Sequence, residues 1–359
     1  MSNKKMLKLS ENRVWRIYLG GKLLDEFRFC ESGTDGYFPE DWIASVVCAN
    51  NPDREDKPEN EGLTKTESGE YLRDYISADP QAALGKAHVE ELGNNFGVLT
   101  KFLDSAERLP IQVHPDKLAA KSLFDSDYGK TEAWYILGGR EINGEEPYIL
   151  LGFKEDVSKE KLKGLFDKQD ISGMADLMHK IPVKVGDTFL IEGGTPHAIG
   201  PGCFLLEIQE PTDYTISLEK CNTLGEKLPD FLCHQGLGFD KMFDCFHYIK
   251  RSSTEILDAF KLKSKVLYET QECSYTQIIS YDRTPCFSLN RYDVKSQCEL
   301  PVSNRARALV IVDGEGKIDG IDVKRGESLF VPADCQETEV VPLNGVLTFL
   351  ECLPPYIGE

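Results

Sequence analysis

Leu109-Pro110-Ile111-Gln112-Val113-His114-Pro115-Asp116 is the stretch whose reading decides the fold. Its alternation of apolar Ile111 and Val113 with polar Gln112 and His114 describes a strand that sends an amide and an imidazole out of one face. Further on, Glu132 opens the apolar run Ala133-Trp134-Tyr135-Ile136-Leu137, which reads as the next strand and sets a carboxylate on a neighbouring rung. His197 lies just beyond the Gly193-Gly194 turn, after the turn and short strand spelled by Val185 to Glu192. Two imidazoles, a carboxylate and an amide therefore converge from adjacent strands of one small barrel. Neutral imidazoles with a carboxylate hold a divalent, borderline-soft cation of the zinc kind and leave room for water or substrate. The same donors accept other divalent ions, so the pattern names a site and not one metal. A histidine in an alternating strand is commonly a hydrogen-bonded structural residue, and it is the agreement of three separate segments that favours ligation. His88, His179, His234 and His247 share no such pattern and are read as structural.

Gln112-x-His114-Pro115-Asp116, then Gly129-Lys130-Thr131-Glu132-x-Trp134, then Lys184-x-Gly186-Asp187 followed by Gly194-Thr195-x-His197-Ala198-Ile199-Gly200, resembles the type I mannose-6-phosphate isomerases. These are zinc-dependent cupin enzymes, and the likeness is to their short bacterial branch. It extends to Val14-Trp15, Gly20-Gly21 and Leu99 to Asp104. The resemblance implies a mainly β fold of two cupin or jelly-roll barrels with helical insertions. It implies one Zn2+ per chain on Gln112, His114, Glu132 and His197. The implied reaction is aldose to ketose isomerisation of mannose 6-phosphate to fructose 6-phosphate, with a phosphorylated hexose as partner. Lys101, Glu207 and Lys130 are the candidate catalytic residues, the first two for proton handling and Lys130 for an anionic group. The main departure lies in Gln209 to Leu218: where the family carries an arginine thought to face the sugar, an ungapped reading puts Ser217. A serine cannot offer the fixed cationic fork of an arginine. Either another cation, such as Lys220, substitutes, or the chain is an isomerase of another sugar or a non-catalytic sugar-binding cupin.

Composition is compatible with all three. The 359 residues allow one large or two medium domains, and 41% hydrophobic with 28% charged residues is ordinary for a soluble globular chain. The balance of 41 basic against 60 acidic residues, a formal charge of −19, argues against nucleic acid or an anionic membrane as partner. No run is long enough to span a membrane, and Met1 to Met6 lack the apolar core of a signal peptide, so a cytoplasmic location is expected, as monomer or homodimer. The 11 cysteines form no Cys-x-x-Cys pair and read as packed thiols.

Along the chain, Asn12 to Leu19 and Trp42 to Ala49 read as strands, and Asn50 to Gly69 as an exposed loop folding back toward a site. Glu70 to Ile76 and Pro80 to Leu92 read as helical, as does Ser158 to His179 with a break near Ser172-Gly173. Val98 to Leu103 is an apolar strand interrupted by Lys101, placed either at an edge facing water or in the cleft beside the metal, and the resemblance favours the cleft. Glu207 interrupts Cys203 to Ile208 as a buried acid or base. Leu224 to Leu257 reads as a mixed linker with short helical pieces, and Ser274 to Leu350 as short strands with glycine turns, a second barrel without histidine. The expected division is a catalytic metal-binding domain over 1–250, with helical segments near 70–92 and 158–179, and a structural domain over 251–359 that closes one wall.

Overall fold

A computed structural model describes residues 5–29, 32–51, 54, 56–223, 225–335 and 338–358. Of the expectations above, Met1–Lys4 of the N-terminus, Pro52, Asp53 and Glu55 of the acidic loop and Leu224 of the linker lie outside the described residues.

The chain is mainly β, and its strands pair antiparallel in four sheets. A seven-stranded sheet runs Lys261–Leu262, Thr188–Ile191, Glu132–Gly139, Cys203–Gln209, Leu99–Asp104, Glu40–Ile43, Arg13–Val14. Facing it is a five-stranded sheet in the order Ile216–Ser217, Gln112–Val113, His197–Ile199, Tyr148–Phe153, Met178–Pro182. The second half repeats the scheme with a seven-stranded sheet centred on Arg307–Asp313, Leu347–Leu353 and Ser288–Val294, and a four-stranded sheet of Cys298–Leu300, Thr338–Pro342, Glu315–Ile318 and Ile321–Lys324. Each half is a cupin-like pair of sheets, with no hydrogen-bonded closure between the two sheets among the described residues.

Side-chain alternation dictates the stacking. In the first seven-stranded sheet, Leu103, Trp134, Ile136 and Leu205 face inward and pack with Ile149, Leu151 and Ile199 of the five-stranded sheet. The intervening residues Phe102, Ala133, Leu206 and Ile208 face outward and join Leu289, Ala308, Val310, Phe330 and Leu350 of the second half. This sheet is thus covered on both faces, which is why Cys203–Gln209 is buried throughout and reads as almost continuously apolar. Each such large side chain contributes about 1.5–3 kcal/mol by leaving water. The two halves also exchange strands: Leu7–Lys8 pairs with Leu329 and Phe330, while Lys261–Leu262 pairs with Thr188 and Phe189.

The helices differ from expectation mainly at their breaks. The 70–92 region holds Leu72–Ala78, Pro80–Leu84 and Lys86–Leu92. Asp79 caps the second by accepting from the Ala82 amide, and Gly85 ends it at φ +100, where a Cβ would strike the Asn304 carbonyl. In the later region, Lys159–Lys168 ends at Gln169 in the left-handed conformation, and Asp170 caps Ile171–Asp176 through the Gly173 amide. The break therefore falls at Gln169-Asp170 and not at Ser172-Gly173, because the aspartate cap restarts the helix. His179 belongs to the strand Met178–Pro182. The linker holds the short helical pieces expected of it, as Asp230–His234, Gly238–Lys241, a 3-10 turn Met242–Cys245 and Ser253–Phe260. Met242 and Phe243 pack with Leu162, Phe166 and Met174 beneath the five-stranded sheet.

Two expected strands are shorter. Trp42 to Ala49 is a strand only to Ile43, since Ala44 takes φ +50. Asn12 to Leu19 is a strand only at Arg13–Val14, after which the chain turns Arg16 and Tyr18 into the cleft between the first two sheets.

Candidate active site

Strand register delivers the donors to that cleft. His197 pairs with Gln112 in the five-stranded sheet, and Ser217 pairs with Gln112 on its other side. In the facing sheet, Glu132 pairs with Gln209, Glu207 with both Trp134 and Lys101, and Lys101 with Trp42. Directly paired residues share a face, so Glu132, Glu207 and Lys101 all point inward.

His114, Glu132 and His197 are buried and each brings a ligand atom to within 4.8 Å of the others. His114 donates Nδ1–H to the Tyr214 carbonyl at 2.7 Å, and His197 donates Nδ1–H to the Thr195 carbonyl at 2.9 Å. Each backbone bond fixes the tautomer that turns the Nε2 lone pair inward. The two Nε2 atoms stand 3.2 and 3.4 Å from the Glu132 carboxylate, and the Gln112 amide lies 3.2 Å from His197 Nε2. Turning that amide over presents its oxygen to the same point. Lys130 Nζ is 2.9 Å from both Glu132 Oε2 and His114 Nε2. Burial holds His197 down to about 3 and lowers His114, so both imidazoles are neutral, the form that ligates. Burial works against the Glu132 charge, but Lys130 and the histidines hold its carboxyl well below the usual range. Neutral imidazoles, an ionised carboxylate and an amide fit a divalent ion.

The supporting loops depend on close backbone approaches. Gly194 sits at φ +84, donates its amide to the His114 carbonyl at 2.7 Å, and lies so near His247 that a Cβ would meet the ring at 2.5 Å. His247 donates Nε2–H to Asp116 Oδ2 at 2.9 Å, which ties the two ligand loops together. Glu210 accepts from the Gly129 and Thr131 amides and thereby fixes the loop that carries Lys130. His88 and His179 bond to the Asn95 and Arg251 carbonyls, away from the cleft.

Beside the donors runs a chain of buried charges. Lys101 occupies an interior strand and lines the cleft, the placement favoured over an edge facing water. Its Nζ is 3.0 Å from Glu207 Oε1, as an ion pair off the hydrogen-bonding angle, and 3.5 Å from Glu40 Oε2. It also lies 5.4 Å from the Trp42 ring. Burial tends to discharge this ammonium, but Glu207 and Glu40 outweigh burial and raise its pKa. Burial, then repulsion from Glu132, pushes the Glu207 carboxyl above its ordinary value. Glu40 continues the chain by accepting from Arg16 Nε at 3.0 Å, Tyr18 at 2.6 Å and Trp42 Nε1 at 2.7 Å. Arg16 ends it in a fork onto Asp213. Arg16, Glu40 and Asp213 were missed by sequence reasoning, because they sit in a nominal strand, a nominal turn and the stretch judged for position 217. The one signal was Glu40, two residues before Trp42 and so on the same face. Ser217 turns its hydroxyl onto its own backbone, donating to the Glu219 carbonyl and accepting from the Glu219 amide, both at 3.1 Å. Lys220 does not take the place of the absent arginine: its ammonium rests on the Phe166 and Phe239 rings, 4.5 and 4.8 Å from their centroids, outside the cleft.

By fold and donor set the chain is a cupin-like protein with a buried His–Glu–His centre between the sheets of its first half. Residues 43–132 match the catalytic domain of the type I phosphomannose isomerases. A probable mannose-6-phosphate isomerase of Bacillus subtilis is 28% identical over 67% of this chain and 70% of its own length. The mannose-6-phosphate isomerase of Streptococcus mutans is 41% identical over 38% of this chain and 42% of its own. The crystal structure of mannose 6-phosphate isomerase from Bacillus subtilis superposes with a TM-score of 0.74 at 21% identity, covering 97% of this chain and 99% of that one. Among the described residues, no helix is long and apolar enough to cross a membrane.

Proposed function

We propose that this protein is a zinc-dependent isomerase that interconverts mannose 6-phosphate and fructose 6-phosphate. The observation that carries the reading is the sharing of one cleft by a His114–Glu132–His197 donor group and a buried Lys101–Glu207 pair. In this reading residues 1–250 hold the chemistry and 251–359 brace the outer face of the catalytic sheet.

Gln112, His114, Glu132 and His197 would hold the metal, which when bound supplies Lewis-acid polarisation of the sugar's carbonyl and neighbouring hydroxyl. The chain's own residues do the rest. Glu207, with its raised pKa, is suited to take a proton from one carbon of the reacting pair and return it to the next. Lys101 keeps the charge of Glu207 compensated and stands ready to donate to a sugar oxygen. Lys130 lies among the donor atoms, so a substrate oxygen at the reacting end is the anionic or partly charged group within its reach. The two-sheet cleft excludes bulk water, which strengthens each of these interactions.

The test is conversion of mannose 6-phosphate by purified protein before and after chelation and with zinc restored. Turnover that is lost on chelation and regained with zinc supports the reading; His114→Ala and His197→Ala should then lose metal and activity together while remaining folded. Turnover of another sugar alone would move the assignment to a different isomerase, and bound zinc without turnover of any sugar would leave a binding protein.

A further inference from the structure

We propose that Arg16 is a substrate-recognition residue, which reads the hydroxyl-bearing carbon chain of the sugar and not its phosphate. The proposal rests on the isomerase reading above and deepens it.

Arg16 lines the same cleft as Gln112, Lys101 and Glu207. Its side chain is only 12% exposed, and it is fixed from three directions. Nε donates to Glu40 Oε2 at 3.0 Å, while the two terminal nitrogens reach Asp213 Oδ2 and Oδ1 at 3.2 and 3.1 Å. The guanidinium carbon lies 4.9 Å from the centroid of the Trp42 ring. A two-pronged carboxylate contact and a stacked aromatic leave a guanidinium no rotameric freedom, so it meets a ligand already in place. One N–H of the nitrogen facing Asp213 Oδ1 has no partner among the described residues.

Charge decides what this wall can bind. Glu40 and Asp213 line the cleft beside Arg16, so the guanidinium is compensated by two carboxylates. A phosphate dianion set against it would meet both carboxylates at short range and be repelled. A hydroxyl both donates and accepts, and this wall alternates acceptor, donor and acceptor through Glu40, Arg16 and Asp213. Vicinal hydroxyls of a sugar chain match that alternation. On the opposite sheet, Ser217 has committed its hydroxyl to Glu219 and brings no charge.

The experiment compares zinc-loaded parent protein with Arg16→Lys and with Arg16→Gln/Asp213→Asn, the double change leaving no carboxylate stranded. Calorimetric titration with mannose 6-phosphate and with mannose is followed by KM and kcat on mannose 6-phosphate, with zinc content as the check on folding. Both variants are expected to bind both sugars at least about tenfold more weakly, by a similar factor for each, with unchanged zinc stoichiometry. A double variant with parental affinity and KM would overturn the proposal and leave the isomerase reading intact. Loss confined to mannose 6-phosphate would also overturn it, by putting the phosphate at Arg16. A parent that binds sugar without isomerising it, beside variants that no longer bind, would sink the isomerase reading and uphold Arg16.

Discussion

Replacing Lys101 by methionine tests the buried charge chain directly. Lys101 is 3% exposed, and its ammonium lies 3.0 Å from Glu207 and 3.5 Å from Glu40. With an effective dielectric constant of ~20, unit charges ~3 Å apart attract by ~5 kcal/mol, from which the desolvation of both ions must be subtracted. Losing one partner reverses the sign of the balance, because Glu207 then stays buried beside Glu132 without compensation. Glu40 suffers less, since Arg16, Tyr18 and Trp42 still donate to it. Lys101→Met should therefore cost about 3–5 kcal/mol, the usual loss for a broken buried pair. Lys101→Met/Glu207→Gln, which removes both charges and keeps both shapes, should recover most of that. The deficit of the single variant should shrink on acidification, because protonation of Glu207 removes the stranded charge; its pKa is already raised and rises further without Lys101. The assay is urea unfolding of metal-free protein, so that metal affinity does not enter the midpoint. A single variant within about 1 kcal/mol of the parent, or a double variant no more stable than the single, would refute this account of the cleft.

Other sites offer independent checks. Asp104 is fully buried, and burial raises its carboxyl to about 6, outweighing the Gly21 and Leu23 amides that donate to it. A carboxyl raised in the folded state contributes stability below its unfolded pKa and loses it as pH rises through the folded value. Asp104→Asn should thus gain about 3 kcal/mol relative to the parent between pH ~3 and pH ~7, measured as the difference in urea midpoints; a difference independent of pH would refute the assignment. Gly194→Ala forces a side chain into the left-handed region and against His247, and should cost at least about 1–3 kcal/mol and weaken zinc retention, read by thermal unfolding and metal analysis. Ser217→Arg crowds a buried position paired with Gln112, in a cleft where Arg16 already supplies the fork, and should lower kcat/KM on mannose 6-phosphate by more than about tenfold. An unchanged value would show position 217 to be indifferent.

What was legible in the sequence is what local pattern encodes. Alternation at Gln112 and His114, the apolar run after Glu132 and the glycine turn before His197 are short-range signals, and each constrains only its own strand. Boundaries were less legible where a tertiary contact overrides propensity: Arg16 leaves a β-like run because Glu40 and Asp213 hold it, and Gln169-Asp170 breaks a helix through a cap that spacing alone does not single out. The linker before Ser253 reads as short helical pieces, but these are too short to show by period which face packs, and only the structure sets Met242 and Phe243 against Phe166 and Met174.

The sequence by itself determined a mainly β chain with a cluster of imidazole, carboxylate and amide donors on neighbouring strands, and it raised the question of a missing cation at Ser217. Only the tertiary structure decided that Lys101 faces inward from a sheet covered on both sides, and that Lys220 rests on aromatic rings elsewhere. It alone joined Arg16, Glu40, Lys101, Glu207 and Asp213 into one charge chain. The reason is range: side-chain alternation is settled within a few residues, whereas the neutralisation of a buried charge depends on partners up to 197 positions apart, as Arg16 and Asp213 are.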